Sequence, residues 1–134
     1  MSRKWVEVAA GVSRAPDGRI LLGQRAEGTF YPGYWEFPGG KVEAGESPAA
    51  ALVRELDEEL GLKVERLHPW LIREFEYEHA CVRLHFFTVD RWQGEPQAIV
   101  HAALAWQDPL QPEVAPMLPA NDPILKALRL PQRM

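Results

Sequence analysis

A chain of 134 residues, 46% of them apolar, can bury one substantial core, and residues 1–134 read as a single domain. Its net charge of −4 comes without the basic stripe that duplex binding needs, which argues against a nucleic-acid polymer as partner but leaves open a small anion reached through a metal. One cysteine, Cys81, excludes an intrachain disulfide and reads as a buried thiol; no stretch reaches the ~18 apolar residues of a membrane span, and the N-terminus has no export core, so a soluble cytoplasmic protein without a membrane partner is expected.

Trp5 to Val12 alternates loosely and then turns apolar, as a strand entering a core does. Pro16-Asp17-Gly18 is a turn, and Ile20 to Leu22 continues as a second strand. Residues 26–38 are rich in Gly, Pro and aromatics and predict a loop holding a short strand around Trp35 to Phe37. Gly39 to Gly45 reads as a loop. Ser47 fits an N-cap, with Pro48 at the first helical position, where its missing N–H costs nothing. Ser47 to Leu60 is the clearest helix. Ala49, Leu52, Val53, Leu56 and Leu60 share one stripe, Glu55, Glu58 and Glu59 occupy an adjoining one, and Gly61 ends the helix. Strands follow at 64–70, 71–76 and 81–89. Gly94-Glu95-Pro96 is a turn, and Leu104 to Trp106 a short strand. The segment 109–119 carries four prolines and is mostly loop. Asn121 or Asp122 caps a last helix running to about Leu130, with Ile124, Leu125 and Leu128 inward. Mixed strands with two main helices predict an α/β sandwich, a sheet with a helix on each face.

The segment GKVEAGESPAAALVRELDEELGL, residues 40–62, carries the chemistry. Residues three and four apart share a helical face, so Glu55, Glu58 and Glu59 crowd together and repel one another. Arg54, four residues before Glu58, offsets part of that repulsion, and a divalent cation would offset far more. Every candidate ligand is a hard oxygen, which suits Mg²⁺ or Mn²⁺ over zinc. The alternative is a solvated acidic face with incidental ion pairs.

The order Gly40, Glu46, Arg54-Glu55-Leu56, Glu58-Glu59, Gly61-Leu62 resembles the Nudix box at each defining position. With LLGQRA at 21–26, WEFPGGKVE at 35–43, DRWQGEP at 90–96 and LPANDPILKALRL at 118–130, the resemblance to the Nudix hydrolases spans nearly the whole chain and is to their MutT-like branch of 8-oxo-dGTP diphosphatases. It implies a Nudix-type α/β/α sandwich and a Mg²⁺-dependent nucleoside triphosphate pyrophosphohydrolase. Such an enzyme would turn 8-oxo-dGTP into 8-oxo-dGMP and pyrophosphate and so clear damaged nucleotides from the pool. The alternatives are a CTP or other pyrimidine triphosphate pyrophosphatase, and a weakly active or non-catalytic nucleotide-binding protein. A monomer or weak dimer is expected.

By the same resemblance, Glu55, Glu58 and Glu59 with the Gly39 carbonyl hold the metal. Glu46 binds through water or aids proton removal, and Arg54 orients a carboxylate. Arg25 contacts phosphate or base, or is a surface arginine. Phe37 lines the base pocket, or belongs to the core. Asn121 reads the base edge, or caps the last helix. The chain departs from the branch in three places. Val100 stands where a further glutamate ligand would be, and His101 next to it either substitutes as a ligand or is a structural or solvated histidine. Ala80 replaces a nucleotide-contacting arginine, with His79 preceding it as a candidate contact, and Ala105 replaces an acidic residue.

Overall fold

The computed structural model describes residues 4–129. Nine elements follow in order: β1 Trp5–Ser13, β2 Ile20–Gln24, β3 Trp35–Glu36, β4 Gly39–Lys41, α1 Pro48–Leu60, β5 Lys63–Glu76, β6 Cys81–Gln93, β7 Ala103–Gln107 and α2 Asp122–Ala127. They form a four-stranded mixed sheet, β4-β1-β6-β5, and a three-stranded antiparallel sheet, β3-β2-β7. β1 runs parallel to β6 and antiparallel to β4.

The period of two along the strands builds two cores rather than one. Ala10 and Val12 of β1, Ile20 and Leu22 of β2, and Leu84 and Phe86 of β6 face Ile124, Leu125 and Leu128 on the α2 side. Ala9, Leu21, Phe87 and Val89 face Leu52, Leu56 and Leu60 of α1. The α/β arrangement with two main helices is as expected, but the strands divide between two sheets instead of one.

α1 is pinned at both ends. Ser47, extended at φ −77° and ψ 157°, accepts the Ala50 N–H on Oγ at 3.1 Å, a cap whose loss costs about 1 kcal/mol. Gly61 takes the left-handed conformation at φ 71° and donates its N–H to the Asp57 carbonyl at 2.9 Å. The buried stripe is Ala51, Leu52, Leu56 and Leu60; Val53 is exposed and Ala49 only part-buried, so the apolar face is turned towards Ala51 from the predicted one. The helix lies close on β1, where a Cβ added at Gly11 would sit 3.3 Å from Leu52 Cδ2.

Three boundaries differ from the sequence reading. Gly39–Lys41, expected as loop, is a strand because its backbone pairs with Ala10, Ala9 and Val8. Its glycines carry no side-chain alternation that would reveal it. Residues 63–76 form one strand instead of two, bent by register shifts at 64/66, 66/67 and 69/71. Pro69 is accommodated because β5 is an edge strand. The last helix stops at Ala127, and Leu130 lies outside the described residues. Cys81 is buried, as expected. Among the described residues no helix is long and apolar enough to cross a membrane.

Leu56, fully buried between α1 and the sheet, tests this packing. Leu56→Ala is expected to lower the unfolding free energy by about 2–5 kcal/mol. The reading is a lower urea midpoint at unchanged slope; an unshifted midpoint would contradict the placement of α1.

Candidate active site

α1 carries Glu55, Asp57, Glu58 and Glu59, and Arg54 is the charge that organises them. Its Nε and Nη2 donate to Glu46 Oε2 and Oε1 at 2.8 and 2.9 Å, a two-pronged pair. Its Nη1 donates to Glu55 Oε1 at 2.8 Å and to Glu58 Oε2 at 3.3 Å. Nη2 also reaches the Lys41 carbonyl at 3.0 Å, tying the helix to β4. Glu46 Oε1 accepts the Glu43 N–H as well, at 3.0 Å. The Arg54 hydrogen bonds, then the Glu43 N–H, pull the Glu46 carboxyl down to about 2.

The two glycines of β4 are there for close approach, with neither in a turn. A Cβ at Gly40 would lie 2.3 Å from the Glu55 carboxyl carbon, and one at Gly39 would lie 2.0 Å from the Ala9 carbonyl oxygen. Gly40 therefore lets the Glu55 carboxylate sit against the strand, and Gly39 lets β4 close on β1.

A cleft of about 560 Å³ opens beside this strand. Gly39, Gly40 and Glu59 line it together with Arg25, Phe37, His79 and Asn121. Candidates scattered over nearly a hundred residues thus share one cleft. Glu46, Arg54, Glu55 and Glu58 are absent from that lining and stand behind it on the loop and helix.

Asn121 occupies the N-cap position of α2 but makes no side-chain cap. It is buried, and its Oδ1 accepts the Phe37 N–H at 2.8 Å, joining α2 to the link between β3 and β4. The capping alternative for Asn121 is therefore set aside. Phe37 is also buried, edge-on to Phe86 at 6.0 Å, so its ring is a core residue that also lines the cleft. Arg25 is held by its own neighbours: Nη1 donates to Glu36 Oε1 at 2.9 Å and Nε to the Phe30 carbonyl. His79 lies flat on Phe30, ring centres 3.8 Å apart.

Glu36 and Tyr77 were not singled out from sequence. Glu36 lines the cleft, and its Oε2 is 2.9 Å from His101 Nε2. Its signal was its place between two buried aromatic residues, Trp35 and Phe37, which turns a strand carboxylate the other way. Tyr77 accepts the Ala120 N–H on its hydroxyl at 3.0 Å, and burial raises its phenol above the ordinary range. Only its place in space reveals it.

A model of the NUDIX domain matches residues 5–128. The chain belongs to the Nudix hydrolase family. It stands in the MutT-like branch of that family. It is 44% identical over 96 residues to the 8-oxo-dGTP diphosphatase of Haemophilus influenzae, covering 72% of this chain and 71% of that one. It is 40% identical over 124 residues to the CTP pyrophosphohydrolase of Escherichia coli, covering 92% and 91%. The solution structure of the E. coli ORF135 protein matches with a TM-score of 0.82 at 39% identity, over 95% of this chain and 90% of that one.

The electrostatics of this Nudix site centre on Glu59. Burial first, then the negative charges of Glu55 and Glu36, push its carboxyl up to about 8. Its Oε2 is shut off from solvent and has no hydrogen-bond partner. Among the described residues no three acidic, histidine or cysteine side chains already converge as a metal cage; Glu55 and Glu58 are drawn onto Arg54 instead. The donor set nonetheless fits a hard divalent cation. It offers oxygens only, from carboxylates and the Gly39 carbonyl, one carboxylate oxygen being buried and unpaired in a place where negative charge is costly.

A raised carboxyl favours the folded state most when protonated. In metal-free protein the contribution of Glu59 is full below its unfolded value of about 4.5 and fades as pH rises towards about 8. Melting temperatures in chelator should therefore fall over that window, and Glu59→Gln should flatten the slope. Parallel profiles for the two proteins would refute the burial of this charge.

Proposed function

We propose that residues 1–134 act as one Nudix hydrolase domain that cleaves nucleoside triphosphates to a nucleoside monophosphate and pyrophosphate, with 8-oxo-dGTP the favoured substrate and Mg²⁺ or Mn²⁺ as the cofactor. The chain is a hydrolase of nucleoside triphosphates. The observation that carries the reading is one cleft, of a size that suits a nucleotide, lined by Glu59 and the β4 glycines together with Phe37 and Asn121.

Glu55, Glu58 and Glu59, with the Gly39 carbonyl, would hold the cation. Bound there, it supplies neutralisation of the phosphate oxygens and acidification of a water. Arg54 keeps the carboxylates apart and aligned while no cation separates them, and Glu46 fixes Arg54. With its carboxyl at about 2 and both oxygens engaged, Glu46 is a poor base, so its part is positioning rather than proton removal. The proton acceptor falls to Glu55 or Glu58 on the same face of α1. Arg25 would grip phosphate with the N–H groups that Glu36 and Phe30 leave free, and His79 with Phe30 would flank the substrate ring.

Because Asn121 spends its oxygen on the Phe37 N–H, it offers its amide hydrogens to the base. A carbonyl oxygen on the base satisfies them. Oxidised guanine has such oxygens, but so does cytosine. That, with the 40% identity to a CTP pyrophosphohydrolase over 92% of this chain, supports CTP hydrolysis as the second reading.

A panel of canonical and oxidised triphosphates, assayed with and without Mg²⁺, tests both. Monophosphate and pyrophosphate are expected, with 8-oxo-dGTP ahead of CTP in kcat/KM. Glu59→Gln should lower kcat at least about a hundredfold, which corresponds to about 2.7 kcal/mol in the barrier. Release of orthophosphate with a diphosphate would sink the mechanism, and CTP ahead of 8-oxo-dGTP would select the second reading.

A further inference from the structure

His101, next to Val100, is held in the protein interior. Its side chain is 3% exposed. Its Nε2 lies 2.9 Å from Glu36 Oε2, while Nδ1 is buried with no partner at all. The Glu36 carboxylate only accepts, so Nε2 carries a hydrogen and donates it to Glu36 Oε2.

The slot that holds the ring is made by a missing side chain. Gly23 of β2 pairs directly with Glu36 of β3. A Cβ there would lie 2.6 Å from His101 Cδ2 and 2.8 Å from Nε2. The loop before β7 is fastened beside it by the Ala102 N–H to the Gln24 carbonyl at 2.9 Å. Backbone pairing and the glycine gap thus place the imidazole against one oxygen of Glu36. The other oxygen, Oε1, accepts from Arg25 Nη1 at 2.9 Å. Arg25 in turn reaches the Phe30 carbonyl.

We propose that His101 is a positioning residue for substrate binding: by occupying Glu36 Oε2 it fixes the carboxylate so that Oε1 presents Arg25 to the triphosphate in the cleft. A carboxylate on a short strand has rotamers to choose between, and a donor on each oxygen leaves it one. His101 does not line the cleft. Its effect is on how well Arg25 is aimed, so it acts on KM and leaves the chemical step alone. This rests on the reading above that Arg25 grips phosphate.

The test uses full-length protein, Mg²⁺ and the triphosphate turned over fastest in the panel. His101→Leu removes the donor, His101→Gln retains an N–H near the Nε2 position, and Arg25→Ala removes the group being aimed. With Arg25 no longer aimed, His101→Leu is expected to raise KM about tenfold, the worth of about one hydrogen bond from Arg25 to a charged phosphate, with kcat held within about twofold. His101→Gln should recover most of that loss. In the double variant Arg25→Ala/His101→Leu, KM should match Arg25→Ala alone, since the two act as one unit. Nitrogen-15 NMR of the His101 ring should show hydrogen on Nε2. The proposal is overturned if Arg25→Ala raises KM while His101→Leu does not, if the two effects multiply, if the leucine variant lowers kcat alone, or if Nε2 carries no hydrogen. An unchanged KM in Arg25→Ala would instead overturn the phosphate role of Arg25, and the His101 proposal with it.

Discussion

Negative charge confined to a small space is the constraint from which this structure is built. α1 places four acidic side chains within the five positions 55–59, and its buried stripe leaves them no freedom to rotate away. One guanidinium, on Arg54, answers three of the neighbouring carboxylates, Glu46, Glu55 and Glu58, and anchors itself on the Lys41 carbonyl. It does not reach Glu59, whose buried oxygen is left with no positive partner. The helix caps, the glycine strand and the loop from Glu43 to Glu46 all serve to hold this arrangement in place. The remaining deficit of positive charge is what makes a divalent cation a natural complement to the fold.

Much of this was legible in the sequence because the signals were local. Ser47, Pro48 and Gly61 mark α1 by capping chemistry, and its leucines mark the buried face by period. The spacing of the acidic residues along a helix says that they must meet, whatever the rest of the chain does. The turn residues near Gly18 and the apolar runs of β1, β2 and β6 placed those strands within a few residues of their ends.

What was not legible depended on partners distant in sequence. β4 is a strand only because β1 lies beside it, and two glycines carry no alternation to announce that. The fusion of two predicted strands into β5 depends on bulges that let an edge strand keep pairing past Pro69. Asn121 resembled a cap because α2 begins there, yet its oxygen is taken by Phe37, 84 positions earlier. Glu36 and His101 are separated by 65 positions and meet only after β2, β3 and β7 have assembled. In each case local chemistry offered a cheaper explanation than the long-range contact that won.

The glycine strand also sets the terms on which this scaffold can change. At Gly39 a methyl group would run into the backbone of β1, and at Gly40 into the Glu55 carboxyl. That side of the cleft is as incompressible as a keel. The same cleft is also lined from loops, by Arg25, Phe30 and Tyr31 and by Tyr77, His79 and Ala80. A lineage diversifying from this protein would keep the glycine strand as it is and reshape the cleft by rewriting the loops alone.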